Sequence, residues 1–82
     1  MTMQVRLLFF GNLTDAVPSS TLDWDWNGQR FAVVDLLQSL YVNYPKLKGK
    51  TFRVAVNQQF VETNFALTDG DEVALMPPFS GG

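Results

Sequence analysis

An α+β fold is predicted by three observations on this 82-residue sequence. Several short stretches alternate apolar and polar residues with the period of two expected of half-buried strands. One longer stretch, Val33 to Tyr44, spaces its apolar residues three and four apart, as an amphipathic helix does. Clusters of Gly, Asn, Asp and Pro punctuate the rest. Apolar residues make up 46% and charged residues 17%, which is enough hydrophobicity for a folded core and too little charge for a disordered chain. A single helix covers a single face, so the expected architecture is a mixed sheet of four to five strands with one main helix packed on one side.

The elements follow in order. Gln4 to Phe10 reads as a strand with Val5, Leu7 and Phe9 on one face and Arg6, Leu8 and Phe10 on the other; Arg6 marks the second face as the more exposed. Gly11 to Ser20, with Asn12, Asp15, Pro18 and two serines, has the composition of an irregular connection without a long helix. Thr21 to Trp26 alternates again. Leu22, Trp24 and Trp26 share one face, and Asp23 and Asp25 read as the wet side of a sheet edge rather than an acid–base pair. The two tryptophans read as packing groups, because no basic groove accompanies them as a stacking platform would require. Asn27-Gly28 is a turn signal.

In the helix, Val33, Val34, Leu36, Leu37, Leu40, Tyr41 and Tyr44 form the apolar side, Asp35 suits the dipole of the first turn, and Pro45 ends the pattern. No Ser, Thr, Asp or Asn stands as a cap near Ala32, and Val33-Val34 is a β-branched start, so a frayed first turn is expected. Lys46, Lys48 and Lys50 read as a solvated loop following the helix, with a contact for an acidic partner surface as the alternative. Thr51 to Val56 and Gln59 to Glu62 form a hairpin around Asn57-Gln58, where Asn57 can take a positive φ. Thr63 to Leu67 crosses to a turn at Thr68 to Asp71, and Glu72 to Met76 is the last strand. The order strand, strand, helix, strand, strand, strand matches a β-grasp domain over residues 1–76.

Two features exceed what the fold needs. The sheet face away from the helix should be polar, yet Leu8, Phe10 and Met76 occur on the side of Arg6 and Glu72. With the first and last strands parallel and adjacent, Phe10 and Met76 meet at the end where the last strand exits, joined by Phe60; this patch is the expected docking surface. Residues 77–82, Pro77-Pro78-Phe79-Ser80-Gly81-Gly82, form an extended tail. The prolines lack N–H groups and stop ladder pairing, and the two glycines keep the end thin enough to enter a narrow channel. Fully extended, the tail reaches at most about 20 Å.

Composition excludes several chemistries. With no Cys there is no disulfide, thiol nucleophile or Cys-ligated cluster, and with no His the commonest general base and metal ligand are missing. No metal site and no bound cofactor are expected. The net charge is −2 and the six cations are spread along the chain, which argues against nucleic acid as the main partner. No signal peptide and no apolar run of membrane-spanning length are read, so the expected location is cytoplasmic.

The string Leu67-Thr68-Asp69-Gly70-Asp71-Glu72-Val73-Ala74, then Pro77-Pro78, then Ser80-Gly81-Gly82, resembles the small sulfur-carrier subunit of molybdopterin synthase; Val5 to Phe10 and Val54-Ala55-Val56-Asn57 extend the likeness across most of the chain. The resemblance implies a ubiquitin-like β-grasp fold and a Gly82 carboxylate that carries sulfur. It implies that a ubiquitin-activating-like adenylating enzyme uses ATP to adenylate Gly82, and that a desulfurase or rhodanese-type donor supplies the sulfur. The resulting thiocarboxylate then enters the large catalytic subunit of a heterotetramer, where its sulfur goes to a cyclic pyranopterin to form the molybdopterin dithiolene. In that scheme Gly82 reacts, Gly81 is the slender approach and Pro77, Pro78, Phe79 and Ser80 guide insertion; no side chain of this chain is catalytic. Relatives often carry Arg-Glu in the loop after the first strand where this chain has Thr14-Asp15, so a polar contact to the partner is absent or displaced. The same fold also serves thiocarboxylate carriers for thiazole or cysteine and modifiers of protein lysines, and a non-covalent β-grasp adaptor with an inert tail is the alternative of a different class.

Overall fold

The computed structural model describes residues 2–78. Its elements are β1 (Thr2–Phe9), β2 (Thr21–Asn27), α1 (Val33–Asn43), β3 (Arg53–Val56), β4 (Gln59–Phe60) and β5 (Glu72–Met76), with 3₁₀ turns at Gly11–Ala16 and Pro45–Gly49. The five strands form one sheet in the order β2-β1-β5-β3-β4. β1 and β5 run parallel at its centre and the other pairs are antiparallel, giving the mixed sheet of a β-grasp.

The core lies between α1 and one sheet face. Val5, Leu7 and Phe9 of β1, Val54 and Val56 of β3, and Val73 and Leu75 of β5 pack with Val33, Leu36, Leu37 and Leu40 of the helix. Leu7, Leu36, Leu40 and Leu75 are fully buried, and burying each such side chain stabilises the fold by about 1.5–3 kcal/mol. Trp24 and Trp26 edge this core half-buried, and Trp26 stacks on Phe31 with ring centroids 4.9 Å apart.

Several boundaries differ from the expectation, each for a physical reason. Gly11–Ala16 coils into a 3₁₀ turn because Leu13 and Ala16 are drawn into the core, and Leu47 does the same for the lysine-bearing turn at Pro45–Gly49. Val34, expected on the apolar side of the helix, is 39% exposed. The first helical turn is held by one local side chain and by two partners that its local sequence does not show. The Val33 N–H donates to the Phe65 carbonyl at 2.9 Å, the Val34 N–H to the Thr63 carbonyl at 2.8 Å, and the Ala32 N–H to Asp35 Oδ2 at 2.8 Å. Groups that an N-terminus leaves without intrahelical partners are thus satisfied by Asp35 at Ala32 and by the β4–β5 connection at Val33 and Val34. The same connection explains why β4 stops at Phe60 instead of reaching Glu62: the chain leaves the sheet edge to bring Thr63 and Phe65 over the helix.

Candidate functional site: the open sheet face and the tail exit

On the uncovered face the strand registers build rows of side chains. Arg6 pairs with Glu72 on one side and Asp23 on the other, forming a charged row in which Arg6 Nε lies 3.5 Å from Asp23 Oδ1. The next row is apolar: Leu8 of β1 stands opposite Ala74 of β5, Ala74 opposite Ala55 of β3, and Ala55 opposite Phe60 of β4. A third row follows at the exit end, where Met76 is opposite Arg53 and the Phe10 N–H continues the β1–β5 ladder by donating to the Leu75 carbonyl at 3.1 Å.

All four residues expected in the docking patch therefore lie on this face. Phe10 is 45% and Phe60 54% exposed, whereas Leu8 and Met76 are half-buried. Phe10 and Met76 share the exit row, but Phe60 belongs one row lower on the far edge strand. Three contributors escaped the sequence reading. Ala74 and the buried Ala55, 3% exposed, connect Leu8 to Phe60, and the Arg53 guanidinium stands over the Phe60 ring, 3.8 Å from its centroid. The alternation in Arg53-Val54-Ala55-Val56 held the signal, because it puts Arg53 and Ala55 opposite the core-facing valines.

The exit itself is set by Gly11 and Pro77. Gly11 has φ +59°, a conformation in which most L-residues are strained, and a Cβ built there would lie 2.8 Å from Pro77 Cγ. The glycine lets the root of the tail lie directly against the β1 end. Asn12 on one side and Gly49, Lys50 and Thr51 on the other line a cleft with Pro77 and Pro78. Phe79, Ser80, Gly81 and Gly82 lie outside the described residues.

The opposite end of β5 is closed by polar side chains. Asp71, 9% exposed, accepts from Asn57 Nδ2 (2.9 Å), the Thr68 N–H (2.8 Å) and Thr68 Oγ1 (3.2 Å). Asn57 Oδ1 accepts from the Glu72 N–H at 3.0 Å, so the hairpin turn and the start of β5 hold each other. Asn57 has the expected positive φ, 50°, and Gln58 follows at 72°. Asp23 and Asp25 lie on an edge strand as expected, engaged by Arg6 and by Gln4 Nε2, which donates to Asp25 Oδ1 at 2.8 Å. Among the described residues no group of three or more acidic, His or Cys side chains gathers as a metal site would.

A domain of this topology, with an apolar open face beside an emerging tail, can dock and present that tail but holds no catalytic side-chain constellation among the described residues. The family model described as ThiS family matches residues 7–82, from the middle of β1 through Gly82. The chain belongs to the ThiS family. The match takes in most of the open-face rows and the whole tail. This ThiS-family chain is 34% identical to the molybdopterin synthase sulfur carrier subunit of Chlamydomonas reinhardtii over 84 residues, covering 98% of this chain and all of that one. Among solved structures it is similar to the small archaeal modifier protein 1 of Haloferax volcanii, with TM-score 0.82, 25% identity, and 94% of this chain and 99% of that one covered. It is also similar to a chain of the Helicobacter pylori complex of subunits 1 and 2 of molybdopterin-converting factor, with TM-score 0.66, 26% identity, and 98% and 100% covered.

Proposed function

We propose that this chain is the sulfur-carrier subunit of a molybdopterin synthase, acting in the cytoplasm and carrying sulfur on the carboxyl group of Gly82. The observation that carries the reading is the seating of Pro77 against Gly11 at the end of β5, next to the exposed Phe10 on the open face. The relatives named as molybdopterin synthase sulfur carriers support it.

The chemistry follows from the carboxylate. A terminal α-carboxyl group ordinarily titrates at about 3.5, so at neutral pH it is an anion and a poor electrophile. Reaction with ATP, catalysed by a partner adenylating enzyme, releases pyrophosphate and leaves an acyl-adenylate. A persulfide sulfur from a desulfurase or rhodanese-type donor attacks the carbonyl carbon and expels AMP. A second thiol then cleaves the sulfur–sulfur bond, leaving the thiocarboxylate on Gly82 and a disulfide on the donor side. Without a Cβ at Gly81 or Gly82, the reacting carbon can be approached closely from either side. The loaded tail enters the large catalytic subunit, with Phe10, Met76, Leu8 and Phe60 docking the domain and Pro77, Pro78, Phe79 and Ser80 lining the path, and its sulfur passes to the pyranopterin.

Intact mass spectrometry after incubation with ATP, an adenylating enzyme of this family and a sulfur donor tests the reading. The expected result is a gain equal to sulfur replacing oxygen, mapped to Gly82, dependent on ATP and lost on deleting Gly81-Gly82. No gain, with the enzyme active on another carrier, overturns it in favour of a non-covalent adaptor. The likeness to a small archaeal modifier protein favours a second reading, transfer of the activated carboxyl to protein lysines; isopeptide conjugates ending in Gly82, in place of a stable thiocarboxylate, would identify it.

A further inference from the structure

The sheet is electrically polarised along its strands. Lys46, Lys48, Lys50 and Arg53, four of the six cationic side chains, lie at the exit end. Arg53 pairs with Met76 in the last row, Lys50 lines the cleft against Pro77 and Pro78, and Lys46 and Lys48 flank the buried Leu47 in the adjoining turn. Asp23, Asp25, Asp69, Asp71 and Glu72 lie at the opposite end, where Arg6 opposes them. Two carboxylates sit nearer the exit: Asp15 in the turn after β1, and Glu62, which shares a groove with Lys50 and Arg53. Neither forms an ion pair with a lysine: among the described residues the one pair within 4.0 Å is Arg6–Asp23.

The lysine turn is held in place. Leu47 is fully buried, its N–H donates to the Tyr44 carbonyl at 3.0 Å, and the Lys50 N–H returns to the Leu47 carbonyl at 3.1 Å. The backbone that bears the lysines therefore keeps a fixed position beside the root of the tail, and at physiological salt the field of their charges reaches about 8 Å beyond the surface. A tail that must thread a narrow opening meets it in few orientations, and a molecular dipole with its positive end at the tail selects those orientations before contact.

We infer that the lysine collar of residues 46–50 recognises an acidic rim around the tail-receiving channel of the adenylating enzyme, and that it sets the speed of encounter. This rests on the carrier reading. An adenylating enzyme serves many carrier molecules by turnover, so speed of encounter counts most there, and charge steering raises association rates without lengthening residence. The apolar open face, in contrast, suits a longer-lived complex.

The test measures carrier-dependent ATP–pyrophosphate exchange by the adenylating enzyme for the full chain, the triple variant K46E/K48E/K50E and the charge-preserving K46R/K48R/K50R, at low and high ionic strength, with thermal melts to check folding. The Glu variant is expected to raise KM for the carrier by roughly tenfold or more at low salt, with kcat unchanged and the gap closing as salt rises, while the Arg variant behaves as wild type. Equal KM values at low salt, a gap indifferent to salt, or an Arg variant as impaired as the Glu variant would each overturn the collar alone. Failure of the unaltered chain to support exchange at any salt overturns the carrier reading and the collar with it.

Discussion

The two ends of β5 are built on opposite terms. At its start, Asp71, Asn57 and Thr68 satisfy one another through part-buried hydrogen bonds, and the polar groups there are already engaged with each other. At its finish, Met76 and Phe10 border open solvent, Pro77 packs against Gly11, and the nearby lysines have no carboxylate within ion-pair distance among the described residues. The difference shows where stability and function reside in so small a domain. One end fixes the strand so that the other end can stay incomplete.

Substitutions at each end can break or sharpen that contrast. The largest loss of stability is expected from Asp71→Ala, which orphans the Asn57 amide and the Thr68 N–H; urea unfolding should show a loss of about 2–4 kcal/mol, summed over hydrogen bonds to a charged acceptor. The folded fraction should still be loaded with sulfur, and a loss of loading per folded molecule would undo the division of labour between the ends. Gly11→Ala comes next. Strain at φ +59° and the 2.8 Å approach to Pro77 should lower stability by about 1–2 kcal/mol and, unlike Asp71→Ala, slow thiocarboxylation per folded molecule by displacing the tail root. Phe10→Ser should be nearly silent in unfolding, within about 0.5 kcal/mol, while weakening binding to the large subunit roughly tenfold in calorimetry. Unchanged affinity would remove Phe10 from the docking surface.

How much of this was legible in the sequence depended on how local the cause was. The strand Glu72–Met76 and the positive φ of Asn57 were readable because alternation and turn chemistry are properties of adjacent residues. The ordering of the first helical turn was only partly so: Asp35, which accepts from the Ala32 N–H, is local, but the acceptors for Val33 and Val34 are carbonyls of Phe65 and Thr63, far along the chain, and a carbonyl carries no side-chain signature. β4 was read too long for the same reason. At the site, the exposed apolar residues were visible as breaches of the alternation, whereas the bridging Ala55 and Ala74 were not, since a small residue on a strand fits either face. The part played by Gly11 was hidden too: it depends on Pro77, a neighbour only once β1 and β5 lie side by side.

That central parallel pairing has a consequence for how the molecule is made. The middle of the sheet joins the first strand of the domain to its last, so the β1–β5 seam cannot form until β5 has been made, and its closure is among the costliest in loop entropy. Until then the apolar faces of β1 and β3 lack the strand that separates them. A chain that stops before Glu72 loses the centre of its sheet rather than an edge, and should collapse or be degraded instead of persisting as a folded decoy. Only a chain synthesised through β5 completes the domain, so in this topology folding itself acts as the check that the root of the tail has been reached.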